Sequence, residues 1–331
     1  MLKQFRFSAI IALATVAAVL VTLGVSAALT TIVLIAIEIA FSFDNAIVNA
    51  KVLAKLSRFW QQLFLTVGVL IAIVGMRFVF PVVIVMVSAH LSWGEVIHEA
   101  LHNPAAYANH LSAAQPTIDA FGGGFLLTLA LYFLFDDKRD ELWLEHVEKP
   151  LQKIGGPIWL PPLVAAGVVA LVYLKAADTA VLTWGLAGVA SYMLLKLLID
   201  GMARLEPQKS KQYTGWAAFL AFMYLQVLDA GFSFDSVLGA FAITDKIVLI
   251  AIGLGVGALW VRSLTVVMVR RGTLKNYIYL EHGAHYAILM LAAALLIGIF
   301  FDIPNAVTGI AGLGIIGASF VESREVLKGR T

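Results

Sequence analysis

The sequence contains no cysteine. That absence excludes disulfides, thiolate zinc sites and iron–sulfur clusters. Charge is scarce too: Asp, Glu, Lys and Arg make up 13% of the 331 residues, about half the share found in an ordinary soluble domain. No G-x-x-x-x-G-K-S/T segment occurs, so ATP-driven pumping by this chain alone is not expected. No nucleophile–base pair and no second positioned axial ligand is evident, which argues against a membrane enzyme and against haem. No resident cofactor and no nucleic-acid partner are expected. What is abundant is apolar. Hydrophobic residues reach 61% and the mean hydropathy is +0.91, the composition of a polytopic membrane protein with the lipid bilayer as its surroundings.

A helical span needs about 20 mostly apolar residues. Ten stretches qualify, near 8–26, 28–50, 60–90, 118–135, 158–174, 180–199, 214–243, 247–269, 279–300 and 304–320. Their apolar runs are continuous rather than alternating, which fits helices and not barrel strands. With the N-terminus placed in the cytoplasm, 19 of the 23 Lys and Arg fall on the inner side. Only Lys175 and Lys246 fall outside, while Arg77 and Arg262 lie within spans. This is the positive-inside pattern of a multi-pass inner (plasma) membrane protein with both termini cytoplasmic. Lys3, Arg6 and the segment Val25-Ser26-Ala27 also resemble a signal peptide. The repeat described next needs this helix, so it is read as a span.

Residues 38–45 read EIAFSFDN and residues 229–236 read DAGFSFDS, an offset of 191. Arg77 and Arg262 each follow on a glycine-bearing apolar helix, and Pro161-Pro162 and Pro304 each lead a later span. The match pairs spans one to five (1–175) with spans six to ten (176–331). Five is odd, so the halves must have opposite orientation, a common plan for secondary transporters. The expected fold is therefore an all-α integral membrane protein, about ten helices in two inverted five-helix repeats. Residues 91–117 form its outer loop and 136–156 a charged cytoplasmic insert, read as a solvated connector.

Glu38 and Asp229 lie near the centres of their spans, with Asp44 and Asp235 six residues further on. Acids at this depth usually mark ion pathways; the bland alternative is an interhelical clamp with Arg77 and Arg262. Helical spacing lets Glu38, Ser42 and Asn45 share a face with Asp44 to one side, and lets Asp229, Ser233 and Ser236 share another with Asp235 off it. For Asp44 and Asp235 to join one ion, the helices must bend or unwind locally. The carboxylate, amide and hydroxyl donors suit a hard or borderline divalent cation such as Mn, Mg or Ca. Four carboxylates and two arginines sum to −2, which one such ion neutralises. Asp119, and Glu281 with His285, open their spans on opposite sides and are read as mouths or proton relays, or as helix-end hydrogen-bond networks. His98 and His102, four apart in the outer loop, have metal-binding spacing but lack a third positioned ligand.

The segments EIAFSFDNAIVNA and LDAGFSFDSVLGAFAIT, with the intramembrane arginines and the final Pro-led helix, resemble the TerC family of the lysine exporter superfamily. The resemblance spans nearly the whole chain outside 136–156 and the loop 91–117. It implies cation export, with manganese as cargo and Glu38, Asp44, Asn45, Asp229 and Asp235 along the ion path. Asp229 stands where the first copy has Glu, and Ser236 where it has Asn. The leading expectation is a secondary exporter of a divalent metal ion, coupled to protons. Alternatives are an amino-acid or small-solute exporter, which needs an unpaired arginine, and a non-transporting scaffold or stress-response protein. A homo-oligomer is compatible with the sequence.

Overall fold

A computed structural model gives the fold and describes residues 2–205, 212–241, 243–244, 246–301 and 303–329. In chain order its helices are α1 (Leu2–Phe41), α2 (Phe43–Leu53), α3 (Arg58–Leu65), α4 (Val67–Leu70), a π-helical segment (Ile71–Val79) and α5 (Phe80–Ser88). The chain continues through α6 (Trp93–His102), α7 (Pro104–Leu134), α8 (Glu145–Ile154), α9 (Leu160–Ala176) and α10 (Thr179–Leu205). It ends with α11 (Gly215–Phe241), α12 (Ile247–Arg271), α13 (Thr273–Asn276), α14 (Leu280–Gly298) and α15 (Asn305–Gly329). Among the described residues, six helices are long and apolar enough to cross a membrane, and the shorter stretches Leu160–Ala176 and Gly215–Ala230 are apolar too. The molecule is an all-helical, multi-pass membrane protein.

Helix α1 is two helices folded back on each other at Gly24, whose φ is 86° and ψ −178°. Only glycine adopts that region at low cost. The course of the chain follows α12 down and back. Phe5 stacks on Trp260 with ring centroids 5.3 Å apart, and Ser8 Oγ lies 2.8 Å from Ser263 Oγ. Val19, Ala27 and Ala28 cluster with Leu249 near the turn. The second half then packs Leu34 at Gly253 and Glu38 at Gly257. The turn at Gly24 lies inside the first expected stretch, 8–26, rather than after it.

The second half of α1 and α2 run antiparallel to α11. Leu34 shares a buried cluster with Val237 and Ala240, Asn45 meets Asp229, and Leu53 clusters with Ala218, Ala221 and Phe222. Helices α7 and α10 pack closely through small residues: a Cβ added at Gly124 would strike the Gly185 carbonyl. Close backbone approach of this kind suits helices in lipid, where packing rather than water exclusion drives association.

Two expectations about connections are corrected. The loop 91–117 is helical, in α6 and the first half of α7. Ser92 and Glu95 form a reciprocal capping box at the start of α6, and Asn103 caps α7 with Pro104 at its first position. Both are recognised helix starts. Ser92 also holds the Glu95 carboxyl below its usual range by hydrogen bonding. Asp119 consequently lies in the middle of α7, buried, instead of opening a span.

The insert 136–156 is also more than a solvated connector. Its helix α8 is docked through Glu148, which is fully buried. The Glu148 carboxylate accepts from Arg139 (3.1 Å), from the backbone N–H groups of Trp143 (3.3 Å) and Leu144 (3.1 Å), and from the Tyr286 hydroxyl (3.3 Å). His282 Nε2 stands 3.4 Å away. Burial alone would raise this carboxyl's pKa. The His282 contact, the backbone donors and Arg139 outweigh it and bring the pKa down to about 2.

Candidate functional site

The centre of the bundle holds two buried carboxylate–guanidinium pairs. Glu38 pairs with Arg77 Nη2, and Asp229 pairs with Arg262 Nη2 at 2.6 Å. Each acid is thus engaged by the arginine of its own half of the chain. All four residues are at most 5% exposed. The pairs are close enough to feel one another: Arg77 interacts with Asp229, and Glu38 with Arg262.

Local structure explains how two arginines are held in so apolar a place. Arg77 sits in the π-helical segment and donates to the Ala72 carbonyl at 3.0 Å. Such segments interrupt the regular ladder and concentrate at functional positions. Arg262 donates to the Phe64 carbonyl at 3.1 Å and to Gln226 Oε1 at 3.2 Å, and lies over the Phe64 ring. Glycines make the room. A Cβ on Gly257 would lie 2.5 Å from that of Glu38, and one on Gly68 would lie 2.5 Å from Arg262 Nη1.

A polar ladder runs along one face of α2. Ser42 Oγ donates to Glu38 Oε1 at 3.1 Å. Asn45 Nδ2 donates to Asp229 Oδ1 at 2.7 Å, tying the two motif copies together, and Asn49 Nδ2 donates to Asn45 Oδ1 at 2.6 Å. Asn49 Oδ1 is buried with no hydrogen-bond partner among the described residues. Ser236 is also buried, whereas the Ser233 and Asp235 side chains lie outside the described residues.

Asp44 faces elsewhere. The helix is interrupted at Ser42, between α1 and α2, and Asp44 Oδ1 accepts from the Asn45 N–H at 2.8 Å. The Asp44 side chain lines a cavity of about 30 Å³ with Phe41, Met290, Thr308, Gly309 and Gly312, room for about one water-sized occupant. The Phe41 ring lies directly against Gly309. In the second copy α11 runs unbroken through Gly231, so the expected local break occurs in the first copy. Glu38, Asp44 and Asp229 therefore do not converge as one ligand set. Among the described residues no three of His, Asp and Glu stand close enough to share a metal ion.

At the lysine-rich end of the bundle, a second cavity of about 210 Å³ is bounded by α2, α7, α10, α11 and α14. Lys51 pairs with Glu281 there, and Lys196 with Asp200 at 2.7 Å. His285 Nδ1 lies 2.8 Å from the Glu281 carbonyl, and its ring stacks on Phe133 at 3.7 Å. Arg139 covers Phe133 at 3.9 Å, which connects this cavity to the docked insert. In the segment 91–117, His98 and His102 stack at 4.5 Å and His110 approaches Glu99 at 3.6 Å.

Sequence reasoning missed Glu148, Gln226 and Asn49. The first looked like one charge among many in a polar run. The other two lack charge and fall outside the repeated octamer, though Asn49 is one helical turn after Asn45.

Comparison with curated proteins finds no match, and neither does comparison with solved structures. The family model described as protein of unknown function DUF475 matches residues 43–330, which takes in both arginines, Asp44, Asp229 and the docked insert. The chain belongs to the DUF475 family.

Proposed function

We propose that the protein is a secondary transporter that exports a divalent cation, with manganese as the leading cargo and magnesium or calcium as the alternatives. The observation that carries this reading is the buried Asp44, lining an ion-sized cavity in an apolar bundle that also holds two buried charge pairs. Ionisable groups at such depth are costly and usually belong to an ion path. The two arginine pairs are each neutral, so this reading assigns the ion to the cavity that Asp44 lines rather than to the pairs. Asn45 and Ser236 are oxygen donors nearby in sequence. Glu38 and Asp229 serve as the pivot on which the two halves meet.

In this reading the chain forms two inverted five-helix repeats with ten spans, in the inner membrane, with both termini cytoplasmic. The antiparallel crossing of α2 and α11 supports it, as does the pairing of acid and arginine within each half. The resemblance to the TerC family supports cation export and the choice of manganese. An amino-acid exporter is disfavoured because both intramembrane guanidiniums already hold a carboxylate. Transport into proteoliposomes of the purified protein, with Mn, Mg, Ca and Zn compared, tests the proposal. Asp44→Asn should abolish cation flux at normal protein abundance. Unchanged flux in the folded variant would overturn it.

A further inference from the structure

The cavity at the lysine-rich end is outside the central site, yet its chemistry complements a cation path. Two of its side chains are donors on one face of α14, Glu281 and His285, four residues apart. The Glu281 carbonyl can only accept, so the proton of neutral His285 resides on Nδ1, 2.8 Å from that carbonyl. The lone pair is then on Nε2. Stacking on Phe133 fixes the ring plane. A carboxylate and an imidazole nitrogen on adjacent turns form a pair that borderline divalent ions accept.

The carboxylate already has a cation. Lys51 reaches across from α2 to pair with Glu281 while half its own side chain is exposed to solvent. Its ammonium also lies 5.9 Å from the Phe133 ring centre. An ion pair with so exposed a partner is weak and easily exchanged. Two residues before Lys51, about 200° round α2 from it, the polar ladder begins: Asn49, whose buried Oδ1 has no hydrogen-bond partner among the described residues, then Asn45, then Asp229.

We propose that this cavity is a loading site for the divalent cation, with Glu281 and His285 Nε2 as its protein donors and the Lys51 ammonium as a tethered cation that occupies it between cargo ions. The inference rests on the cargo being a divalent cation. Two protein donors completed by water make a weak site. Weakness suits the role, because a conducting path needs sites that release as readily as they bind. The incoming ion displaces Lys51 toward solvent.

The test uses the full chain in lipid nanodiscs with Mn2+ alone as the probe, read by pulsed electron paramagnetic resonance. Bound Mn2+ should show 14N modulation from an imidazole, lost in His285→Gln and retained in Asp44→Asn. Lys51→Met should tighten Mn2+ binding by about fivefold, the upper range for a half-exposed ion pair, and Lys51→Arg should leave it near wild type. Absence of 14N modulation in both wild type and Lys51→Met would overturn the site. Unaltered affinity in Lys51→Met would overturn the tethered-cation role. Asp44-dependent flux with no imidazole signal sinks this inference alone; an imidazole signal with Asp44-independent flux sinks the central reading instead.

Discussion

Replacing Asp229 by Asn keeps the shape of the central site and removes one charge. Asp229 Oδ2 would no longer neutralise Arg262, 2.6 Å away, although Asn45 could still donate to the retained amide oxygen. The Arg262 guanidinium would keep the Phe64 carbonyl and Gln226 as acceptors. It would remain 2% exposed, near Arg77 and without its own paired acid. Breaking a buried pair from one side costs about 3–5 kcal/mol. That is a large part of the about 5–15 kcal/mol that holds an ordinary domain folded. Removing both partners, in Asp229→Asn/Arg262→Gln, also removes the stranded charge and should recover most of the loss. The assay is reversible unfolding in mixed detergent micelles, run as a double-mutant cycle so that the pairwise term is isolated. If Asp229→Asn unfolds within about 0.5 kcal/mol of wild type, the range of an unremarkable surface change, and the double variant recovers nothing, the clamp assignment is wrong.

Gly257→Val should lower the melting temperature, because a Cβ there would lie 2.5 Å from that of Glu38 and overpacking costs about 1–3 kcal/mol. Gly24→Ala forces a side chain onto φ 86°, ψ −178° and should cost about 1–3 kcal/mol in the same unfolding assay. Glu148→Gln should release the insert, seen as faster protease cleavage within 136–156, since the fully buried carboxylate holds Arg139 and two backbone N–H groups. The Glu148 pKa is depressed from 4.5 to about 2, so its contribution to docking is complete above 4.5 and is lost as pH falls through about 2. Hydrogen exchange of α8, corrected for intrinsic rates, should therefore stay flat from neutral pH to about pH 5 and rise only in stronger acid.

Much of the bundle was legible because hydropathy and charge act over long windows. The apolar runs gave helices, and Arg77 and Arg262 stood out as isolated cations within them. The repeated octamer located Glu38, Asn45 and Asp229, which the fold brings together at the α2–α11 crossing. Spacing alone did not reveal which acid each arginine holds. Glu38 and Arg77 are 39 residues apart and Asp229 and Arg262 are 33 apart, and such pairings are set by helix packing. The helical character of 91–117 was missed although Ser92-x-x-Glu95 and Asn103-Pro104 are both start signals. They were outweighed by the segment's polarity. Glu148 was missed for a related reason: its burial depends on Arg139, His282 and Tyr286 converging from two distant segments.

The arginine pairs also redirect the reasoning about proton exchange. Four bare carboxylates near one point cannot all stay ionised, and that crowding would make any of them a proton carrier. Glu38 and Asp229 each face a guanidinium instead of a bare carboxylate. Proton exchange with the cargo is then assigned to Asp44. Asp44 lines a cavity that holds one small occupant at most, so a cation and a proton would compete there for the same oxygens. Apparent cation affinity should accordingly weaken with falling pH in wild type and in any folded variant that retains Asp44. In Asp44→Asn any residual binding should lose that dependence. Calorimetry in two buffers of different ionisation enthalpy reads it directly. Equal binding heats in both buffers for the wild type would mean that no proton leaves, and cation binding at Asp44 would then be uncoupled from proton release.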